Sequence, residues 1–258
     1  MFTDTKYSIQ QTGGYRFIRE GTENDRPTFV LLHGMFGGLS NFEHLLDHLH
    51  DRFHLVVPEI PLYDLKYTQL KISYLSEWLD QFLESLQLKP VMLLGNSMGG
   101  HIALDYALNH QNEVEKMILT GSSGLFENEF GDSVPRRGDR QYIRERAELT
   151  FYDPAMVTES LMDEIMEIVN SKRKLIKLVR LARATHKYNM EDLLPQIDVP
   201  TMLIWGSEDK ITPPEVARTF HERLPDAHLE WIDRCGHAPM MERPDDFLAI
   251  LENYVFDN

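Results

Sequence analysis

The segment GNSMGG at residues 95–100 places a serine among glycines, after the apolar run 91–94 and before a segment typical of a helix. In a strand–turn–helix, the spacing Gly-x-Ser-x-Gly predicts a sharp, strained turn that exposes the serine hydroxyl above the carboxyl edge of a sheet. A hydroxyl presented in this way is suited to nucleophilic catalysis. Ser97 is therefore the candidate nucleophile, and an ordinary glycine-rich turn is the alternative that its partners must exclude.

A serine hydroxyl is a weak nucleophile at neutral pH, so it needs a base, and the base needs a carboxylate that orients it. His237 and Asp209 each follow a predicted strand, and parallel α/β sheets gather their sites at such carboxyl ends. The order Ser97, Asp209, His237 predicts a catalytic triad. Two neighbouring carboxylates compete with Asp209 and rank below it: Glu208 and Asp233.

Backbone amides that could stabilise an oxyanion are expected in two places. The Met98 amide lies at the start of the helix that follows Ser97. The stretch HGMFGG at 33–38 follows another apolar run and can bring a second amide beside the serine, that of Met35 or, in reserve, Phe36. This stretch lacks both the Gly-Lys-Ser/Thr ending and the Gly-x-Gly-x-x-Gly spacing of nucleotide-binding loops, so no nucleotide cofactor is predicted.

Short apolar runs alternate with helical patterns along most of the chain, which indicates a mostly parallel α/β sheet. The predicted strands cover residues 29–32, 55–57, 91–94, 117–119, 202–205 and 229–232. The predicted helices cover residues 42–49, 73–86, 98–110, 214–224 and 245–254. Residues 10–14, which include a Gly-Gly pair, are predicted to form a turn between two leading antiparallel strands.

Residues 124–195 interrupt this alternation, because they show helical spacing without a convincing strand. The helical patterns cover residues 142–149, 157–169 and 174–184. Their apolar stripe needs a surface to cover. We therefore predict a helical cap at 124–195, inserted into a core domain of residues 1–123 and 196–258; a loosely packed surface excursion is the alternative.

The formal net charge of this 258-residue chain is −15, which argues against nucleic acid and anionic membranes as partners. No apolar run approaches the ~20 residues of a membrane helix, and the N-terminus lacks the form of a signal peptide, so we expect a cytoplasmic protein. The histidines are scattered and form no metal-binding motif, so no metal is predicted. A small molecule is the expected partner, and a homodimer is an option that the sequence leaves undecided. The single cysteine, Cys235, fits a reducing compartment and is expected to fill space in its loop.

The ordered motifs resemble those of the α/β-hydrolase fold family with a helical cap, from about residue 29 to the C-terminus. GNSMGG, SNF at 40–42 and IWGSEDKITP at 204–213 are further similar to the meta-cleavage-product hydrolases, which cut a carbon–carbon bond in ring-fission products. This similarity implies that Asn41 and Asn96 are polar residues of the substrate site. Ala238 stands where those enzymes carry tryptophan, so esterases, lactonases and perhydrolases remain alternatives.

The predicted cap carries basic residues at helical spacing near its end, with Arg173, Lys177 and Arg180 on one face. The same resemblance implies a cap arginine, Arg180 or Arg183, that holds a substrate carboxylate through two parallel hydrogen bonds. The alternative is a solvated basic face that pairs with the acidic core domain, since residues 124–195 hold 12 basic and 13 acidic side chains and leave a net charge of −14 on the rest.

Together these patterns predict a serine hydrolase that acts on a small ester or a ring-fission-type carbon–carbon substrate. The competing class is a ligand-binding or sensor protein on the same scaffold, whose triad is slow or silent. Haloalkane dehalogenation is excluded because it requires an acidic nucleophile at the position of Ser97.

Overall fold

A mixed eight-stranded sheet lies at the centre of the computed structural model, which describes residues 5–21, 26–128 and 138–256. Within these ranges the strands are β1 (Ile9–Thr12), β2 (Tyr15–Glu20), β3 (Thr28–Leu32), β4 (His54–Pro58), β5 (Val91–Asn96), β6 (Val114–Thr120), β7 (Thr201–Gly206) and β8 (Ala227–Ile232). Their order in the sheet is β1-β2-β4-β3-β5-β6-β7-β8. β2 pairs antiparallel with β1 and β4, and the other neighbours are parallel. The α/β fold class predicted from the sequence is confirmed.

The degree of burial of each strand agrees with the pattern of apolar residues in its sequence. β5 (VMLLGN) and β7 (TMLIWG) are buried along their whole length, as expected for central parallel strands that are covered on both faces. β8 lies at one edge and alternates between covered and exposed positions, while β1 at the other edge is mostly exposed. The carboxyl ends of the buried central strands therefore form the edge where site residues collect.

Helices pack around this sheet, and most of them begin and end within a few residues of the predicted bounds. In the described ranges they are α1 (Glu43–Leu49), α2 (Ile72–Ser85), α3 (Met98–Asn109), α4 (Arg140–Glu148), α5 (Glu159–Asn170), α6 (Lys172–Lys187), α7 (Pro214–Arg223), α8 (Pro239–Glu242) and α9 (Pro244–Phe256). The helix α8 is not predicted from the sequence, because four residues are too few to show an apolar period. The predicted turn at 10–14 is tighter than expected: Gly13 and Gly14, at φ of 58° and 87°, make the turn alone.

Three helices, α4, α5 and α6, lie between β6 and β7, in the stretch where the sequence predicts helices without strands. Each begins at a polar residue whose side chain accepts a hydrogen bond from a helix amide: Asp139, Thr158 and Ser171. The apolar stripe of α5 and α6 is buried, which accounts for its helical spacing. Residues 129–137 of the predicted cap lie outside the described residues, and the division into domains stays a prediction.

Candidate active site

The turn between β5 and α3 holds Ser97 in a backbone conformation that only glycine adopts without strain, with φ of 54° and ψ of −121°. The flanking glycines are required by close backbone contacts. A Cβ on Gly95 would lie 2.4 Å from the amide nitrogen of Gly100, and one on Gly99 would lie 2.0 Å from the carbonyl oxygen of Leu32. Ser97 is half-buried although its neighbours in the turn are buried, so its side chain is the one presented at the sheet edge.

Hydrogen bonds join the backbone of Ser97 to β6 and to the residues that follow it. The Ser97 amide donates to the Thr120 carbonyl at 3.1 Å, and the Ser97 carbonyl accepts from the Ser123 amide at 3.1 Å. The same carbonyl accepts from the amides of Gly100 and His101 in the first turn of α3. These bonds stabilise the strained turn from outside, which allows a non-glycine residue to keep a positive φ.

The imidazole of His237 and the carboxylate of Asp209 are joined, as the sequence analysis predicted. His237 Nδ1 donates to Asp209 Oδ2 at 2.9 Å, and both side chains are buried. The two competing carboxylates, Glu208 and Asp233, are exposed. The geometry therefore pairs Asp209 with the imidazole and leaves Nε2 as the ring atom that could take up a proton.

Asp209 is held by three further hydrogen bonds. Its Oδ1 accepts from the amides of Ile211 and Thr212 at 2.8 and 3.0 Å, and its Oδ2 accepts from the Thr212 hydroxyl at 2.8 Å. The same hydroxyl lies 3.3 Å from His237 Nδ1. Thr212 is thus a residue of the site that the sequence analysis missed, although it belongs to the quoted segment 204–213.

The pKa of His237 is raised above its ordinary value of 6.5 by its surroundings. Burial acts to lower this pKa, but the negative charge of Asp209 and its hydrogen bond raise it more, with a smaller contribution from Glu127. The buried carboxylate therefore stabilises the imidazolium, which is the form that a general base becomes after accepting a proton.

Hydrogen bonds hold the backbone of His237 on both sides of its Cα atom. Its amide donates to the Thr150 carbonyl at 2.7 Å, and its carbonyl accepts from Asn96 Nδ2 at 3.0 Å. Asn96 is buried, and the same Nδ2 also donates to the Thr120 carbonyl at 3.0 Å. The residue before Ser97 therefore connects the serine turn to the histidine loop. Both amide hydrogens of Asn96 are used in these two hydrogen bonds. Its contact with substrate stays a prediction.

The stretch HGMFGG follows β3 and packs against the serine turn. A Cβ on Gly34 would lie 3.2 Å from Ser97 Cβ. His33 Nδ1 donates to the Gly34 carbonyl at 2.8 Å, and His33 Nε2 accepts from the Ile60 amide at 3.2 Å. Burial lowers the pKa of His33 to about 4, so this histidine is neutral near pH 7 and braces the loop.

The two predicted oxyanion residues of this loop follow Gly34 directly. Met35 is half-buried and Phe36 is exposed, with 38% of its surface accessible. The turn closes by a bond from the Gly37 amide to the Gly34 carbonyl at 3.1 Å. Asn41, predicted as a substrate residue, accepts from the Gly38 amide through Oδ1 at 3.1 Å. Its observed contact therefore stabilises the loop whose amides are expected to face the serine.

The basic face of α6 contacts a loop of the core. Lys177 is buried, and its ammonium donates to the carbonyls of Tyr63, at 2.8 Å, and Leu65. Arg180 is exposed, and its guanidinium carbon lies 5.7 Å from the centre of the Tyr67 ring. The basic face of α6 therefore differs from the solvated face expected from the sequence, because its cations contact backbone carbonyls and tyrosine rings of residues 63–67.

The candidate carboxylate-binding arginines are not brought to the triad by any described contact. Arg180 rests on Tyr67, and Arg183 is exposed on the same helix. A substrate role for either arginine remains a prediction. Cys235 is buried, as expected of a residue that fills its loop, and burial raises the pKa of its thiol.

In the described part of the chain, one group of side chains has the spacing to hold a metal ion: Asp80, His110 and Glu113. The ammonium of Lys89 already lies 2.6 Å from Asp80 Oδ1 and 2.9 Å from Glu113 Oε2. These side chains therefore form a half-buried ion-pair network, with Asp80 in α2 and His110 directly after α3. Among the described helices, none is both long and apolar enough to cross a membrane.

The model of the α/β hydrolase fold family matches residues 27–244, and the chain belongs to this family of enzymes. The solved structure of MGS-MChE2, an α/β hydrolase enzyme from the metagenome of sediments of the Mar Chica lagoon in Morocco, has a TM-score of 0.78 and 33% sequence identity. The alignment covers 96% of this chain and 97% of that one.

Two curated relatives differ in the reactions that their names describe. Monoacylglycerol lipase abhd6-B of Xenopus laevis is 27% identical over 282 residues, covering 96% of this chain and 83% of the relative. A 2-hydroxy-6-oxononadienedioate/2-hydroxy-6-oxononatrienedioate hydrolase of a Pseudomonas species is 25% identical over 252 residues, covering 90% of this chain and 89% of the relative. Relatives of this chain therefore include both a monoacylglycerol lipase and a hydrolase named for oxo-dienedioate and oxo-trienedioate substrates.

Proposed function

We propose that the protein is a serine hydrolase whose nucleophile is Ser97, with His237 as general base and Asp209 as the orienting carboxylate. The observation that carries this proposal is the 2.9 Å hydrogen bond to Asp209 from Nδ1 of His237, in a loop that Asn96 connects to the turn that holds Ser97 at φ of 54°. This bond fixes the imidazole tautomer that leaves Nε2 free to accept a proton.

In the proposed reaction, the Ser97 hydroxyl attacks the substrate carbonyl carbon while its proton moves to His237 Nε2. The amides of Met98 and Met35 stabilise the resulting oxyanion, the first of them at the positive end of α3. The imidazolium then protonates the leaving group, and an acyl-enzyme on Ser97 remains. Water, deprotonated by the same imidazole, attacks the acyl carbon; the bond to Ser97 Oγ breaks, this oxygen takes the proton back from His237, and the acid is released.

We infer that the preferred substrate is an ester with an apolar acyl group. Phe36 and Phe126 support this substrate, because both are exposed, at 38% and 56%, on loops that follow site strands β3 and β6. Arg180, one of the two arginines that could hold a substrate carboxylate, contacts Tyr67. Cleavage of a ring-fission carbon–carbon substrate is the second candidate, favoured by the Pseudomonas relative.

We further propose that residues 124–195 form a cap over this edge of the sheet. Two contacts support the proposal. The Thr150 carbonyl binds the His237 amide at 2.7 Å, and α6 is attached through Lys177 to the loop that follows β4. The two attachments lie beyond the carboxyl ends of β8 and β4, on the edge of the sheet where the substrate would enter.

A fluorophosphonate label, read by intact mass, tests the proposed function. We expect one adduct per chain, located at Ser97 by peptide mapping, and none in Ser97→Ala. An unlabelled parent protein would support the binding or sensor alternative instead. A panel of p-nitrophenyl esters of increasing chain length, with one ring-fission dienoate, identifies the substrate class. Turnover of the dienoate above that of every ester would overturn the ester assignment.

Arginine-to-lysine variants test the second candidate separately. If Arg180 or Arg183 holds a substrate carboxylate, its change to lysine raises KM for a carboxylate-bearing substrate more than for a neutral ester of similar size. We expect equal, small effects on both substrates, because Arg180 is exposed and contacts Tyr67.

A further inference from the structure

The carboxylate of Glu242, at the end of α8, joins two separate segments of the chain. Its Oε2 accepts from the Gly236 amide at 2.6 Å, and its Oε1 accepts from the Asp153 amide at 2.6 Å. Gly236 immediately precedes His237, whereas Asp153 lies in the stretch between β6 and β7. Each oxygen of one carboxylate is therefore used by a different segment.

The same two segments touch directly beside Glu242. The His237 amide donates to the Thr150 carbonyl at 2.7 Å. A Cβ on Gly236 would lie 2.5 Å from the Thr150 carbonyl oxygen and 2.8 Å from Phe151 Cα, so the backbones are as close as glycine allows. The position of the imidazole thus depends on how residues 150–153 lie against its loop.

From these contacts we infer that Glu242 is a positioning residue, which fixes the His237 loop against residues 150–153 and so holds the imidazole toward Asp209 and Ser97. The inference rests on the proposed function of His237. Hydrogen bonds from amides to a carboxylate are charge-assisted and stronger than those to neutral acceptors, so a neutral side chain of equal size does not replace this one. In addition, a glutamine has only one acceptor oxygen for the two amides.

Two variants separate the geometry of Glu242 from its charge. Glu242→Gln keeps the length and removes the charge, and Glu242→Asp keeps the charge but is one methylene too short to reach both amides. We expect each to lower kcat by about 10- to 100-fold with KM changed less than about twofold, because a small displacement of a catalytic group acts on the reaction step. The rate of fluorophosphonate labelling at Ser97 should fall in parallel.

The pH profile adds a readout that a purely structural role would not change. Asp209 and Glu127 are the charges that raise the pKa of His237. If Glu242→Asp loosens the contact with Asp209, the acidic limb of kcat/KM moves to lower pH although no charge is lost. Glu222, an exposed carboxylate on α7, provides the matched control through the same two substitutions, which should leave kcat and the limb unchanged.

All rates are expressed per active site titrated with the fluorophosphonate, so a partly unfolded variant does not imitate the effect. Parent-like kcat, labelling rate and acidic limb in both Glu242 variants would overturn the inference. A lower melting temperature with an unchanged rate per titrated site and an unchanged limb would also overturn it, leaving Glu242 as a stabilising residue only. If the parent protein is not labelled at Ser97, the proposed function itself fails, which is a different result.

Discussion

Replacing Asp209 by asparagine should remove most of the activity, because the site determines how an amide would be oriented there. Oδ1 accepts hydrogen bonds from two backbone amides, so the oxygen of the asparagine must remain on that side. The amide nitrogen then takes the place of Oδ2 and faces His237 Nδ1 at 2.9 Å. Since an NH₂ group donates, Nδ1 becomes the acceptor and Nε2 carries the hydrogen. The imidazole can no longer take a proton from Ser97.

The size of this effect follows from the tautomer and the lost charge. Where a triad aspartate is replaced in this way without disturbing geometry, kcat falls by about 10⁴, which corresponds to about 5.5 kcal/mol of transition-state stabilisation. We expect a loss of that order in Asp209→Asn, with a small change in KM. The acidic limb of kcat/KM should also move to lower pH, because burial then acts on the pKa of His237 without the opposing carboxylate.

The assay is steady-state hydrolysis of the best p-nitrophenyl ester from pH 5 to 9, with active sites titrated by the fluorophosphonate. Asp233→Asn is the matched control, since Asp233 is an exposed carboxylate in the His237 loop. Asp209→Asn within tenfold of the parent, together with an inactive Asp233→Asn, would refute the assignment of the acid.

Three other predictions concern the nucleophile, the base and the buried histidines. Ser97→Ala should lower turnover by about 10⁶ with a nearly unchanged melting temperature, and turnover above a tenth of the parent's would contradict its role. The acidic limb of kcat/KM in the parent should lie above pH 6.5, since the pKa of His237 is raised; a flat profile from pH 5 to 8 would contradict a histidine base. Burial lowers the pKa of His33 to about 4 and of His101 to about 3, so the unfolded chain binds more protons below pH 6.5. Each of these two histidines should therefore lower the free energy of unfolding by about 2 kcal/mol at pH 5 relative to pH 8. His237 offsets part of this loss, because its raised pKa adds stability at low pH that is lost as pH rises. Urea unfolding of the parent and His101→Leu at the two pH values measures this, and an equal pH dependence in both would contradict it.

The sequence was sufficient for the elements that carry a period or a motif. The run VMLL at 91–94 predicts a strand before Ser97, and the structure shows β5 extending to Asn96 and buried throughout. The pairing of Asp209 with His237 also followed from their places after β7 and β8. Such features are local in sequence, or depend only on the rule that parallel strands share their carboxyl edge.

The remaining features depend on contacts that no periodicity encodes. Lys177 was counted with a basic face, but its acceptors are backbone carbonyls of Tyr63 and Leu65, which any sequence presents equally. The resemblance to the meta-cleavage-product hydrolases implies a substrate role for Asn96, which stays a prediction. The contacts of its side chain in the structure are with the carbonyls of Thr120 and of His237, 141 residues away. Polar side chains that bind distant backbone cannot be distinguished in a sequence from those that await a ligand.

The bond from the His237 amide to the Thr150 carbonyl limits how this enzyme could be shortened. A variant in which a short linker replaces residues 124–195 would keep every predicted strand and all three residues of the proposed triad. It would still remove the acceptor of the base's own amide and the surface on which Gly236 is seated. On the proposed roles of His237 and Glu242, residues 150–153 belong to the minimal catalytic unit, and length variation during evolution should be tolerated on either side of them but not within them.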